Sequence, residues 1–227
     1  MDSHPSSSAY YGGNVVLDRL SAGERENVLS QLSVGFEEEA SVLRARDQPI
    51  DMVSFPIDAV YSVVVELAQG QMYEVGVIGR SGAVGAEIAI GARMASRTVL
   101  CQAAGRVAQL PSDQFVLALD RSRTFLLAVR ESLRRQWFDS QQTVACNFAH
   151  TVEQRAARWI LMTQDQVGQE HFPLRAEFLS IMLGVSKAAI HEPLAVLGQL
   201  GCIRYEADYL TILSRAALHD YACECYD

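Results

Sequence analysis

Three side chains near the end of the chain, His219, Cys223 and Cys225, are of the types that hold zinc, which takes imidazole and thiolate ligands. The Cys-x-Cys pair falls on what reads as a terminal amphipathic helix, where buried thiols act as small apolar groups, so packing is expected there and no metal. The cysteines, Cys101, Cys146, Cys202, Cys223 and Cys225, are odd in number and lack a CxxC spacing, which points to reduced thiols rather than a disulfide framework. Gly79-Arg80-Ser81-Gly82-Ala83-Val84-Gly85 is not a phosphate-cradling GxxxxGK[ST] loop, because the one lysine of the chain is Lys187. No Ser-His-Asp set or carboxylate pair can be placed in one pocket from the sequence, and no enzyme is expected. Lys187 stands alone among 19 basic residues, and its surroundings carry the most information.

Pro173 to Ile190 reads as a helix, a tight turn at Gly184, and a second helix opened by Ser186. Gly184 permits a left-handed turn, Val185 plugs the angle between the helices, and the Ser186 side chain can accept from an amide of the next turn. Ile190, Leu194 and Leu197 anchor the second helix, which leaves Lys187, Ala188, His191 and Glu192 outward near its N-terminal end. Ile203-Arg204-Tyr205 and Leu210-Thr211-Ile212-Leu213 form a hairpin immediately afterwards. Helix-turn-helix plus hairpin is a winged helix, and this class of motif inserts the N-terminal end of its second helix into a DNA major groove.

The preceding chain must carry and orient that motif. Residues 1–13 are Ser-, Gly- and Tyr-rich and read as a mobile lead-in. Ser21 and Glu24 form an S-x-x-E capping arrangement ahead of a short helix at about 21–32. Val34 to Leu110 changes to short β-rich runs, 59–65, 73–78, 98–101 and 106–110, closed by Gly-containing turns, which predicts a compact antiparallel roll or barrel. After Pro111, Leu126, Val129, Leu133, Trp137, Val144 and Phe148 recur at helical spacing, and a helix from about Ser122 to His150 would span roughly 40 Å. That is longer than one small domain needs, so part of its stripe is expected to meet a partner chain; a helix bridging two domains of a monomer is the alternative.

This order of parts resembles the Crp/Fnr superfamily of bacterial transcription regulators over about residues 14–226. The resemblance is carried by Val152-Glu153-Gln154-Arg155-Ala156-Ala157-Arg158-Trp159-Ile160-Leu161-Met162, by Phe178 to Ser186, by Gly201-Cys202-Ile203-Arg204-Tyr205 and by the ending Ala222-Cys223-Glu224-Cys225-Tyr226. It implies an α+β chain: an N-terminal antiparallel β-roll resembling cyclic-nucleotide-binding domains (14–120), a long dimerisation helix (121–150), a C-terminal winged helix-turn-helix (151–222) and a tail (223–227). It further implies a cytoplasmic homodimer that reads a two-fold related site in double-stranded DNA, with RNA polymerase or another protein as a further partner and no membrane.

Within that resemblance, Lys187 stands where relatives place a basic residue, suited to a phosphate or a guanine edge, and His191 could donate to a base edge or phosphate. Glu192 replaces an arginine, Arg175 replaces a capping threonine and would face phosphate, and Ser186 and Ala188 complete the expected surface. Pro193 falls seven residues after Ser186, where a helix interior would lose a hydrogen bond at a cost of about 3 kcal/mol, so a kinked or altered recognition helix is expected. For a ligand, relatives that bind cyclic nucleotides imply Glu87 for ribose, Arg97 and Thr98 for phosphate, and Ser140 and Gln141 for the base. Ala86 stands where glycine would let the backbone approach, and the Gly79–Gly85 segment looks more like a branch without such a site, so no cofactor is expected, with a cyclic nucleotide as the alternative. An iron–sulfur cluster would need cysteines near the N-terminus, and haem a ligand in a roll that contains no histidine.

Composition limits these readings. With 49% apolar and 20% charged residues the chain is a globular protein rather than a disordered one, and no apolar run reaches the 18 or so residues of a membrane helix. A formal charge of −8 disfavours a polyanion binder held by net charge, and residues 151–227 carry six basic against ten acidic side chains. The alternative function is a ligand-sensing or protein-interaction module of the same architecture that has lost DNA affinity.

Overall fold

The computed structural model describes residues 12–226, so the expected mobile lead-in lies outside the described residues except for Gly12 and Gly13, as does Asp227. Asn14 caps α1 (Val15–Asp18): its Oδ1 accepts from the amides of Val16 and Leu17, and its Nδ2 donates to the carbonyls of Pro56 and Gly82 at 2.8 and 3.0 Å. One fully buried amide thus ties α1 to two loops of the roll. α2 (Ala22–Leu29) begins at the Ser21–Glu24 capping box, as the spacing predicts, and stops three residues short of the expected end.

Seven strands follow: β1 (Ser33–Glu37), β2 (Val42–Arg44), β3 (Met52–Pro56), β4 (Val60–Glu66), β5 (Met72–Ile78), β6 (Thr98–Ala103) and β7 (Gly105–Pro111). They pair antiparallel in two sheets, β1-β7-β3 and β2-β6-β4-β5. β4, β5, β6 and β7 are the strands read from the sequence. α3 (Ser112–Arg121) then runs up to Ser122, whose extended backbone breaks the helix. The Ser122 hydroxyl accepts from the Phe125 amide at 2.9 Å and donates to Glu24 Oε1 at 2.6 Å, so the break both caps the next helix and binds it to α2. Phe55, Phe115 and Phe125 meet with centroids 5.6 to 6.2 Å apart, joining β3, α3 and the start of the long helix in one core.

That helix, α4 (Arg123–Ala149), has 27 residues, about 40 Å at 1.5 Å per residue. α5 (Val152–Val167) follows after a turn at His150 and the capping Thr151, and ends at Gly168 in the left-handed conformation. The remainder is β8 (His171–Pro173), α6 (Ala176–Leu183), a 3-10 turn (Lys187–Ile190), α7 (His191–Gln199), β9 (Ile203–Glu206), β10 (Tyr209–Ile212) and α8 (Arg215–Tyr221). β8 adds a third strand to the wing, giving the order β8-β10-β9. Trp159, Ile160, Leu161, Phe172, Leu179, Ile190, Leu197 and Leu210 fill the core of this unit.

The winged unit is docked on the roll. Trp159 Nε1 on α5 donates to Glu74 Oε1 on β5 at 3.0 Å, Gln102 on β6 donates to Thr163 at 3.3 Å, and Gln166 accepts from the Ser81 hydroxyl at 3.2 Å. Gly79 explains part of the glycine-rich segment: a Cβ there would stand 2.5 Å from Gln166 Oε1. The ending is also packed rather than detached, since Arg158 Nε donates to the carbonyl of Cys225 at 3.0 Å and the Tyr226 hydroxyl to Asp165 at 2.8 Å. Cys223 lies beyond the end of α8 and Cys225 in a short 3-10 turn (Glu224–Tyr226), not on the terminal amphipathic helix that was expected.

Candidate nucleic-acid interface

Arg175 stands at the N-cap of α6 and Gly184, with φ of +62°, at its C-cap; the 3-10 turn and α7 follow, the two arms of the motif bending by 96°. The Val185 amide donates to the Ser180 carbonyl at 3.1 Å, which closes the turn over the half-buried Val185 side chain. Ser186 is extended and its carbonyl accepts from the Ala189 amide at 2.9 Å, but its hydroxyl makes no capping bond, contrary to the sequence expectation. The hydroxyl therefore stays exposed on the outer face.

Pro193 requires a correction. The segment after Ser186 is a 3-10 turn up to Ile190, and α7 begins at His191, so Pro193 occupies the first turn of α7 rather than a helix interior. An amide there has no intrahelical partner to lose, and the interior cost of about 3 kcal/mol does not arise. The altered helix that the sequence implied is thus a change of helix type before Pro193. Ile190, Pro193, Leu194 and Leu197 are buried, while Ser186, Lys187, Ala188, His191 and Glu192 are exposed on one continuous surface. Beside it lies an open groove of about 480 Å³ between α7 and the wing, lined by His191, Leu194, Arg204 and Tyr205 among others. Ala207 and Asp208 both have positive φ, a tight turn that holds Arg204 outward on β9.

The charges on this surface are partly occupied. Lys187 Nζ donates to Glu177 Oε1 on α6, and this contact holds the Glu177 carboxyl below its ordinary range. Arg175 Nε lies 3.6 Å from Glu39 Oε1, on the loop between β1 and β2, so Arg175 points to the roll. Burial raises the Glu39 carboxyl, and Arg175 opposes that shift. Lys187, His191 and Arg204 are then the basic or titratable groups that this face turns outward, with Glu192 among them.

The five ligand-pocket residues have separate settings. Glu87 sits in a 3-10 turn (Ala86–Ile90), where it acts electrostatically on the half-buried Arg44. The Arg97 guanidinium donates to the carbonyl of its neighbour Ser96 at 2.7 Å, and the Thr98 hydroxyl accepts from the Arg46 amide at 3.2 Å. Ser140 donates to the Val75 carbonyl at 2.8 Å across the α4–β5 contact, and Gln141 is exposed. A separate cleft of about 300 Å³ opens where the Gly79–Gly85 segment meets α4 and α5, with Arg80, Arg135, Asp139 and Asp165 in its wall. Sequence reasoning had no route to it, because its wall is assembled from α1, β5 with the segment after it, and the α4–α5 pair, which are distant in the chain.

α4 presents two environments. Phe125, Ala128, Val129 and Ser132 are buried against the roll, whereas Trp137, Phe138, Val144 and Phe148 are 63, 57, 59 and 90% exposed. A row of large apolar side chains open to water on a long helix is the usual mark of a protein interface.

A β-roll followed by a long helix and a winged helix-turn-helix is the architecture of Crp/Fnr transcription regulators, and this chain has that fold. Among solved structures it is similar to a CRP-family transcriptional regulator from Thermus thermophilus, with a TM-score of 0.69 and 17% identity over 83% of this chain and 96% of that one. FixK2 from Bradyrhizobium japonicum gives 0.72 and 12% over 85 and 98%. The c-di-GMP responsive global regulator CLP from Xanthomonas campestris gives 0.64 and 16% over 86 and 100%. No protein-family model and no curated protein matches the sequence.

Proposed function

We propose that the chain is a homodimeric transcription regulator, not an enzyme, that reads a two-fold related DNA site with the Ser186–Glu192 face of each subunit. The observation that carries this reading is the exposed N-terminal face of the α7 arm, held by four buried side chains at 96° to α6 and flanked by the wing. The open apolar row on α4 supports the homodimer, which would place two such faces at a fixed separation. Lys187, Ser186 and His191 serve phosphates and base edges, Ala188 permits close approach, and Glu192 accepts from a cytosine amino group. Arg175 joins them once it leaves Glu39.

The reading includes no cofactor, since Arg97, Thr98 and Ser140 already serve the protein's own backbone. An effector or a protein such as RNA polymerase would act by biasing the docked winged unit between two positions, a shift of populations. No helix among the described residues is long and apolar enough to cross a membrane, and the proposed place of action is the cytoplasm.

Selection of a randomised duplex library by the purified chain, then affinity against salt, tests the reading. Enrichment of a two-fold related sequence with salt-dependent binding is expected. Lys187→Ala should weaken binding to that sequence by about 1–3 kcal/mol if Lys187 reads a base, or lower the salt slope by about one if it neutralises a phosphate. Failure to enrich any sequence at low salt favours the second reading, a sensing or protein-interaction module. The Lys187–Glu177 pair and the acidic winged unit are the observations on its side.

A further inference from the structure

Four metal-binding side chains converge at the end of the long helix, in a set the sequence reading did not assemble. Cys146 and His150 lie one turn apart at the end of α4, and Cys223 and Cys225 come from the segment after α8. One candidate ligand atom from each lies within 4.8 Å of all the others. Cys146 Sγ is 3.5 Å from Cys223 Sγ, and His150 Nδ1 is 3.6 Å from Cys225 Sγ. Zinc–sulfur bonds of about 2.3 Å in a tetrahedron set ligand atoms roughly 3.8 Å apart, so the group needs only small adjustments around a central ion. His219, which the sequence grouped with the two cysteines, stands against the Tyr226 ring instead, centroids 5.5 Å apart.

The surroundings fit a metal better than they fit packed thiols. His150 Nε2 lies 3.0 Å from Glu224 Oε2, which fixes the ring so that Nδ1 faces the sulfurs. A carboxylate on the outer nitrogen is the usual partner of a metal-bound imidazole. Cys146 and Cys223 are 1 and 4% exposed, while His150 and Cys225 are half-buried, leaving a way in for an ion. Arg158 binds the Cys225 carbonyl and places a positive charge beside what would be three thiolates. All five cysteines are free, so the pair at 3.5 Å is not a disulfide, whose sulfurs would be about 2.05 Å apart.

We propose that Cys146, His150, Cys223 and Cys225 bind one zinc ion in a tetrahedral Cys3His site that staples the C-terminal segment to the end of α4. Binding releases the three thiol protons to solvent and leaves His150 neutral, its Nε2–H donating to the Glu224 carboxylate. Three sulfurs and one imidazole select zinc over magnesium or calcium, which take oxygen ligands. His150 is the last cap of α4 and Thr151 the first of α5, so the ion would sit beside the hinge between the long helix and the winged unit. It would lock the segment that closes that hinge, and this does not depend on what the winged unit binds.

The test uses the full reduced chain, its metal content, and cobalt as a coloured substitute. One zinc per chain is expected, competing with a chromophoric chelator, together with the visible bands and thiolate-to-cobalt charge transfer of a tetrahedral sulfur-rich site. Cys223→Ser with Cys225→Ser should abolish both, and a matched circular dichroism spectrum shows that the fold survives. Glu224→Gln, which keeps all four ligands, should weaken affinity about 10- to 100-fold. Zinc should also protect Cys225 from alkylation. The proposal is overturned if the folded, reduced chain takes up neither ion stoichiometrically, or if the double serine variant gives the same cobalt spectrum.

Discussion

The two halves of α4 have similar apolar periodicity and opposite fates. In the first half, Phe125, Ala128 and Val129 are sealed against the roll with exposures of 0, 4 and 0%, and the chain satisfies that stripe by itself. In the second half, Val144 and Phe148 stand open to water, and the face that is packed is mostly polar, through Ser140 on Val75 and Asp139 beside β5, with Cys146 buried further along. Periodicity tells which residues share a face; it does not tell whether the covering surface belongs to the same chain. The first half is a folding element, and the second is the assembly element of the proposed dimer.

Substitutions can break that comparison. Val129→Asp would bury an unpaired carboxylate in the Phe55–Phe115–Phe125 core and should cost on the order of 4 kcal/mol or more, a large part of the stability of an ordinary domain. Chemical denaturation followed by tryptophan emission and circular dichroism measures it. Val144→Glu combined with Phe148→Glu should leave the roll and winged unit folded and reduce the sedimenting species to a single chain. Equal loss of folding in both variants would erase the distinction between the halves. A double glutamate variant that still sediments as two chains would move the dimer interface elsewhere.

A smaller effect sharpens the comparison from the packed side of the second half. Glu74 on β5 faces α5 and the second half of α4, in a cleft shared with Asp139, Arg155 and Arg158. Burial raises its carboxyl from 4.5 to about 7, with Ser62, Trp159 and Arg158 opposing, and its Oε2 has no hydrogen-bond partner. Because the folded value lies above the unfolded one, the contribution of Glu74 to stability is complete below about 4.5 and is lost as the pH rises to about 7. Glu74→Gln keeps an acceptor for Trp159 and should raise stability above pH 7 while flattening the slope between those limits. Asp139, also raised by burial, leaves a residual slope of the same sign at lower pH. An unchanged slope in the variant would show that the docked face admits water around Glu74.

Local punctuation made much of the fold legible. The Ser21–Glu24 box, the start of the long helix near Ser122 and the turn at Gly184 all fall where the sequence places them. β1, β2 and β3 escaped for physical reasons: β1 is mostly exposed, β2 has three residues, and β3 is buried along its length, so it shows no alternation. The exposed set from Ser186 to Glu192 was readable because it lies on one short arm anchored by its own apolar residues. The Lys187–Glu177 and Arg175–Glu39 pairs, the Trp159–Glu74 bond and the Cys146–His150–Cys223–Cys225 group were not. Each joins positions 10 to 136 residues apart, a distance no local pattern spans.

Pro193 makes the smallest test of the same lesson, that position within an element outweighs residue type. As an interior proline it should be a burden, and replacing it would stabilise the chain by about 3 kcal/mol. As a first-turn proline it restricts the unfolded chain at no cost to the helix, an effect worth about 0.4–1 kcal/mol, and its buried ring adds apolar contact. Pro193→Ala should therefore lower stability by about 1 kcal/mol, read from the denaturation midpoint at unchanged slope. A gain in stability would mean that α7 prefers to begin at Lys187 as one continuous α-helix and that Pro193 holds it in the 3-10 form. In that case the spacing of Lys187 and His191 on the recognition surface would itself depend on Pro193, and the variant's preferred DNA sequence should change along with its stability.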